Sequence, residues 1–325
     1  MLSLNNLSGF IMRRSLLVGY IVLAIAQTGI SINVVTSKFL LAVMPMFMLL
    51  ASRFFLSSVI LAVTLKMTGT TIIDPKHPEG KLTKMDWIFG VLQGVFAAFL
   101  FNLFFVWGLQ HTTATAAGIV GSTLPAIIAI CAVWMLKEKL NWPKLFALIL
   151  AMLGILVINL DHFEGMENLN HTYFGDFLVF LAMIPEAMYS IIGRKLADRM
   201  TPLGSSFIAN VVGFVTLLPC ALFTGTFDLS VFSSWEGSLI IIAALSSLIF
   251  FWAWAWGLSF IPASTAGIFG GVMPVATTLF AILFLAESLH WYDVIGMLLV
   301  LGSIVIGTGW RPALRKRKTT VYTEA

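Results

Sequence analysis

The sequence predicts an all-α membrane protein of ten transmembrane helices, arranged as two inverted five-helix repeats. Composition, the spacing of apolar runs and an internal self-match support this prediction. Of the 325 residues, 59% are hydrophobic and 10% are charged, whereas a soluble domain carries about 25% charged residues. A spanning helix takes about 20 apolar residues, so ten spans with short loops use nearly the whole chain. The composition therefore argues against a soluble fold.

Apolar runs between polar, glycine and proline breaks define the spans. The first five are predicted at 15–36, 42–65, 87–108, 113–135 and 141–159. The second five are predicted at 175–197, 203–224, 236–258, 263–286 and 290–309. Arg13 and Arg14 precede the first run as in a signal peptide, but the run is long and no clear cleavage site follows. We therefore interpret it as the first span.

The basic residues collect on one side of this arrangement. When both termini share a side, all basic residues except Lys38 and Arg53 lie on it, which is 17 of 19. The opposite loops collect acidic residues instead, namely Asp161, Glu164, Glu167, Asp228 and Glu236. The positive-inside rule then predicts cytoplasmic termini. The basic run at 315–318 is expected to contact anionic lipid.

The two halves of the chain match each other. A shift of 149 residues aligns 107–125 with 256–274, and 14 of the 36 positions from 107 to 142 are identical. A shift of 157 residues places Lys38 on Lys195. Because each repeat has an odd number of spans, the second repeat enters the membrane from the opposite side, which is an architecture of alternating-access carriers.

Several of these residues carry a family resemblance. They are Lys38, the Arg53-Phe54 pair, the Trp-Gly-Leu motif followed by small residues and Pro125, the Lys137-Glu138-Lys139 triplet, and the second copy that ends at Glu287. The pattern resembles the drug/metabolite transporter superfamily, and specifically its EamA-type members with ten helices. The resemblance implies a carrier with a central cavity between two five-helix bundles, and export is typical of such carriers. It covers nearly the whole chain but does not indicate the substrate.

We accordingly expect a first repeat at 1–160, a second repeat at 173–310 and a basic cytoplasmic tail at 311–325. The repeats differ at two positions that bear on chemistry. Asn210 replaces the counterpart of Arg53, and Glu186 falls on Gly29.

Glu186 is the leading candidate for function. It lies near the middle of the sixth span, where a charged side chain costs roughly 2.5 to 3.5 kcal/mol and is expected to face protein or water. It could couple transport to protons or contact a substrate amine, aided by Pro185, which can free a backbone carbonyl. Alternatively, it could form a structural ion pair with Arg53 or bond a neighbouring helix.

Arg53 also has two interpretations. It could bind a carboxylate or phosphate of a substrate, or it could lock the end of the first helix by bonding free carbonyls. Lys38 and its counterpart Lys195 are predicted to be interfacial anchors.

Other polar and aromatic residues in the spans are cavity candidates. Hydrogen bonds between helices are the default explanation for such polar groups, but Asn33, Asn102, Tyr189 and Ser190 are alternatively expected to line the cavity. Trp252 could flank a substrate, and aromatic walls suit an apolar or cationic metabolite. Trp256 lies near the end of its span and fits an interfacial belt.

Small residues and prolines recur at equivalent places in the two repeats. Gly118, Gly267 and Gly270 allow close helix packing, and Pro125 and Pro274 are candidate hinges.

Glu138 and Glu287 follow the fourth and ninth spans on opposite sides of the membrane. We assign these two glutamates a structural or gating role.

No sequence motif indicates an enzyme. HExxH, GxSxG and GxxxxGK[ST] motifs are absent from the sequence, so we expect neither catalysis nor a metal or other cofactor. Cys131 and Cys220 lack metal or redox spacing.

The predicted function is secondary transport of a small metabolite across the inner membrane by alternating access, with lipid as the surrounding partner and no nucleic acid. A lipid or lipid-carrier flippase and a membrane receptor without transport are the alternatives, and oligomeric state and coupling stay open.

Overall fold

The computed structural model describes residues 4–75, 80–112, 114–159, 173–224, 235–285 and 289–309. These residues are helical apart from their connecting turns and one isolated bridge between Ile73 and Met200. The helices are α1 (Leu4–Leu40), α2 (Met46–Thr68), α3 (Lys84–Gly94), α4 (Phe101–Leu109), α5 (Ala114–Gly121), α6 (Leu124–Leu136), α7 (Trp142–Ile158), α8 (Tyr173–Leu196), α9 (Pro202–Thr224), α10 (Trp235–Leu258), α11 (Ala263–Phe269), α12 (Val272–Leu285) and α13 (Trp291–Gly307), with a π-helical segment (Val95–Leu100) between α3 and α4.

Each of the ten predicted apolar runs coincides with one or more helices in the described residues. Eight helical segments in the described ranges are long and apolar enough to cross a membrane. The fifth and tenth runs form α7 and α13, which are apolar but have only 17 residues each. A 17-residue helix is about 25 Å long, close to the lower limit for crossing the hydrocarbon core.

The main helix pairs are antiparallel and join the two halves of the chain. Gly19 lies against Ile261 and Gly29 lies against Ile249, so α1 and α10 run in opposite directions. The pairs α2 with α9, α4 with α8, and α7 with α13 also join the halves. The largest helix contacts therefore lie between the halves.

The crossing of α7 and α13 depends on two glycines. A Cβ atom added at Gly154 would lie 2.9 Å from the carbonyl oxygen of Gly296, and one at Gly296 would lie 2.8 Å from the carbonyl oxygen of Gly154. Such backbone contact is typical of small residues at helix interfaces in membranes.

The fourth and ninth spans are each broken at the same place. Residues 122–123 separate α5 from α6, and residues 270–271 separate α11 from α12. Pro125 and Pro274 lie in the first turns of α6 and α12, where a missing backbone N–H is not needed. The matching kinks that the sequence suggested are thus matching breaks, each with a proline just after it.

Loops fasten the halves together on the side where the chain begins. The Tyr20 hydroxyl donates to the Thr308 carbonyl at 3.5 Å, so α1 begins and α13 ends on one side, here named the N-terminal side. On that side the Thr201 hydroxyl donates to the Thr71 carbonyl at 2.7 Å. Arg199 donates to both carboxylate oxygens of Asp86, at 2.8 and 3.0 Å.

Candidate functional site

Glu186 faces the interior of the protein from the middle of α8. Phe177, Phe180 and Ile184 are exposed and share one face of this helix. At 3.6 residues per turn, Glu186 lies on the opposite face, with the buried Ala182. Glu186 nevertheless keeps partial solvent access, so its side chain borders internal space.

Glu186 has no partner among the residues that the structure describes. None of the ion pairs or hydrogen bonds found there includes its carboxylate. Pro185 precedes it inside the helix and cannot donate to the carbonyl one turn earlier. The arrangement therefore presents an unpaired carboxylate at mid-span beside a weakened stretch of helix.

An aromatic cluster adjoins Glu186 in the direction of the N-terminal side. Tyr189 follows Glu186 by one turn, and its ring lies 5.6 Å from Phe251 and 6.2 Å from Phe250, measured between centroids. Phe250 in turn stacks on Trp254 at 5.9 Å. The indole Nε1 of Trp254 is buried and bonds to none of the described residues. We name Tyr189, Phe250, Phe251 and Trp254 the aromatic cluster.

Arg53 lies at a separate junction. Its Nη1 donates to the Asn33 side-chain oxygen at 2.5 Å, and the Asn33 Nδ2 donates to the Ala243 carbonyl at 2.8 Å. This relay joins α2, α1 and α10. The guanidinium also lies over the ring of Phe54, 5.1 Å from its centroid. Arg53 therefore links α2 to the first helix, through the Asn33 side chain and not through free carbonyls.

Aromatic rings separate the two charged groups. Phe54 contacts Phe251 at 5.7 Å, and Phe251 contacts Tyr189. Arg53 is in the first half of α2, nearer the side opposite the N-terminal side. Within the described residues no ion pair joins Arg53 to Glu186, so that alternative is not realised in this structure.

The counterpart of Glu186 in the first half, Gly29, lies at a tight contact between helices. A Cβ atom at Gly29 would lie 3.2 Å from the Ser246 carbonyl oxygen and 3.3 Å from Ile249. In the second repeat Asn210 is fully buried and donates to the Ser206 carbonyl of its own helix at 2.8 Å. The two repeats therefore differ in packing as well as in charge.

Three cavity candidates remain, namely Ser190, Asn102 and Trp252. Ser190 is buried one turn from Glu186, beside Tyr189. Asn102 follows the π-helical segment and donates to the Ala98 carbonyl at 2.7 Å, which is a bond within its own span. Trp252 stacks on Trp256 at 5.2 Å, and both rings pack against the main hydrophobic core. The α10 tryptophan that joins the aromatic cluster is Trp254, a residue that the apolar pattern of this helix does not single out.

Glu138 fastens the two broken spans together. Its carboxylate accepts bonds from the Ala263 and Ser264 amides at 2.7 and 3.1 Å, and from the Ser264 hydroxyl at 2.5 Å. These contacts join the end of α6 to the start of α11, so we name them the Glu138 clasp. Glu287, the side chain of Lys38 and the tail at 311–325 lie outside the described residues.

The small residues occupy close contacts, as expected of them. A Cβ atom at Gly118 would collide with Asn159, and one at Gly267 would lie 3.3 Å from Ile128. At Gly270 it would meet the Gly267 carbonyl oxygen at 3.0 Å.

Lys195 places its ammonium 4.1 Å from the ring centroid of Phe89. In the described part of the chain, no group of three or more His, Cys, Asp or Glu residues could hold a metal ion.

The apolar helices define a multi-pass membrane protein. The EamA-like transporter family matches this chain twice, at residues 17–160 and 173–308. The chain therefore belongs to the EamA-like transporter family.

Relatives and a solved structure agree with this assignment. The chain is 30% identical over 308 residues to an uncharacterized transporter of Bacillus subtilis, YetK, covering 94% of this chain and 90% of the relative. It is 26% identical over 238 residues to an S-adenosylmethionine uptake transporter of Rickettsia conorii, covering 72% of each. A protein of known crystal structure superposes with a TM-score of 0.73 at 16% identity, over 91% of this chain and 96% of that one. The last likeness concerns the fold alone.

Proposed function

We propose that this protein is a secondary transporter that exports a small metabolite across the inner membrane by alternating access, with Glu186 at its central site. The observation that carries this proposal is the unpaired carboxylate on the inward face of α8. A mid-membrane carboxylate is costly in free energy and typically marks a pathway for substrate or protons. Family membership supplies the transporter class.

The proposed architecture is ten spans in two inverted repeats. Three features support it: the antiparallel pairs between halves, the equivalent breaks in the fourth and ninth spans, and the two family matches. The proposed repeats are 1–160 and 173–310. In such folds the substrate site lies near the midplane between repeats, and one repeat rocks against the other.

The proposed sidedness puts the N-terminal side in the cytoplasm. It rests on the basic residues, since 17 of 19 lie on that side in the ten-span arrangement. Export would then run from the N-terminal side to the opposite side. We further propose that Glu186 exchanges protons during the cycle, because it is the described mid-span carboxylate without a partner.

Flux measurements on Glu186 variants test the proposal. Proteoliposomes of the full chain receive a mixed metabolite pool that includes S-adenosylmethionine, under two opposite pH gradients. We expect saturable counterflow that responds to the gradient, and Glu186→Gln should lose most of it because the amide cannot exchange a proton.

The matched control is Asp198→Asn, another acid-to-amide change at a side chain that is 77% exposed. It should leave the flux unchanged. Full, equally pH-responsive flux in Glu186→Gln would reject the role of the carboxylate. Ligand binding without flux in sealed, active vesicles would favour a receptor instead.

A further inference from the structure

The surroundings of Glu186 carry information about the charge of the ligand. The carboxylate is on the inward face of α8 with partial access, and the aromatic cluster begins one turn away at Tyr189. Aromatic rings present negative charge on their faces. The Glu186 carboxylate, which has no basic partner among the described residues, gives this part of the protein a negative potential.

Arg53, the basic side chain considered above as a partner of Glu186, does not compensate this charge. Arg53 is bound to Asn33 at the α1–α2–α10 junction, and the rings of Phe54 and Phe251 lie along the path from Arg53 to Tyr189. Among the described residues no lysine, arginine or histidine pairs with Glu186. An anionic ligand would be repelled here, and a neutral one would leave the carboxylate uncompensated.

The cluster offers two further features to a ligand. Phe250, Phe251 and Trp254 are buried side chains of one helix that together form an apolar wall, and Phe250 stacks on Trp254. The Trp254 Nε1 donor is buried, and no described residue accepts its hydrogen bond. A flat or branched apolar body with an oxygen acceptor would satisfy both features.

We infer that the central site takes an organic cation, an amine or an onium compound with an apolar or aromatic body, in which Glu186 is the counter-ion and the aromatic cluster contacts the body. This inference deepens the proposed function and rests on it for the role of the site in transport. Cation–π attraction and the ion pair both select the positive charge itself.

Matched ligands that differ only in charge test this inference. The probes are benzyltrimethylammonium, its neutral carbon analogue neopentylbenzene, and the anion benzylsulfonate, each titrated into the purified full chain by calorimetry. We expect the cation to bind at least about tenfold more tightly than the neutral analogue, as expected for a desolvated cation–aromatic contact joined by an ion pair. The anion should not bind measurably.

Variants locate the binding. Glu186→Gln should bring the affinity for the cation down to that for the neutral analogue. Trp254→Leu should lower the affinity for the cation several-fold. Trp254→Phe keeps a ring and should retain most of that affinity. Trp235→Leu, on the same helix but 63% exposed, is the control and should bind like the unaltered protein.

The outcomes separate this inference from the proposed function. Equal affinity for the cation and its neutral analogue, or preference for the anion, would overturn the cation site even if the metabolite pool is transported. Selective, Glu186-dependent binding without flux in proteoliposomes would support the cation site and overturn transport. Selective binding with flux that the cation inhibits would support both.

Discussion

At the scale of single residues, Asn33 links three helices through one amide group. It accepts from Arg53 and donates to the Ala243 carbonyl, so both ends of the side chain are used. Asn33 itself is only 3% exposed. Its contacts match the default that polar groups in spans bond between helices.

Asn33→Ala should destabilise the protein because it removes the acceptor of the Arg53 guanidinium, whereas the Ala243 carbonyl still accepts from the Ser246 hydroxyl. Unsatisfied buried groups cost about 1 to 3 kcal/mol in free energy of unfolding, although single interhelical bonds in membranes average only about 0.6 kcal/mol. We therefore expect a loss of about 1 to 2 kcal/mol, measured by denaturant unfolding in micelles.

The control for this change is Thr36→Ala, one turn along the same helix. Among the described residues, the Thr36 hydroxyl bonds only within α1, to the Ile32 carbonyl at 2.9 Å and the Asn33 carbonyl at 3.1 Å. Its removal should change stability far less. Equal losses from the two variants would contradict the relay as a link between helices.

Individual residues were predictable from the sequence to different degrees. Glu186 was identified because a charge in an apolar run is conspicuous. Trp254 was not, because α10 is apolar on nearly all sides and its pattern does not indicate which face meets α8. The separation of Arg53 from Glu186 depends on tertiary packing, which the sequence does not encode visibly.

At the scale of helices, the Glu138 clasp closes the N-terminal side between α6 and α11. Three donors converge on one carboxylate. Because α6 and α11 belong to different halves, any motion that parts the halves on this side must break these bonds. This geometry suits the gating role that the sequence suggested for Glu138.

Glu138→Ala should loosen the start of α11. Hydrogen bonds to charged groups contribute about 1.5 to 3 kcal/mol, so the Ala263 and Ser264 amides should exchange hydrogen about ten to a hundred times faster. Hydrogen–deuterium exchange of the reconstituted protein measures this directly.

Lys139→Ala is the matched control, because Lys139 is exposed in the same loop and its loss also changes one charge. In Lys139→Ala the Ala263 and Ser264 amides should exchange hydrogen at the rate of the unaltered protein. Unchanged protection of these two amides in Glu138→Ala would show that the clasp does not hold α11.

Helix positions were largely predictable from apolar runs, and glycine with proline marked the breaks near Gly121 and Gly270. The π-helical segment at Val95–Leu100 was not foreseen. Its six residues are apolar like any spanning helix, so only the contacts with α8 and α9 distinguish it.

At the scale of the whole molecule, the halves depend on each other. The largest helix pairs combine one helix from each half, and the loops around Thr71 and Thr201 join them at the N-terminal side. The internal match predicted the repeat, but the pairing across halves required the structure.

Alkaline phosphatase fusions test the proposed sidedness, since this enzyme is active only after export. A fusion after residue 165 should be active, whereas fusions after residues 75 and 309 should be inactive because basic loops stay inside. Fluorescent-protein fusions at the same sites control for expression and should show the reverse pattern. An active fusion after residue 309 would contradict cytoplasmic termini.

The tight contact at Gly29 has a consequence for stoichiometry. A Cβ atom at Gly29 would already press on α10, and the described spans hold one carboxylate, not two, at this depth. In the proposed cycle Glu186 would therefore pass at most one positive charge. Exchange of one proton for one monovalent cation at this group would be electrically silent, whereas proton exchange against a neutral compound would generate current.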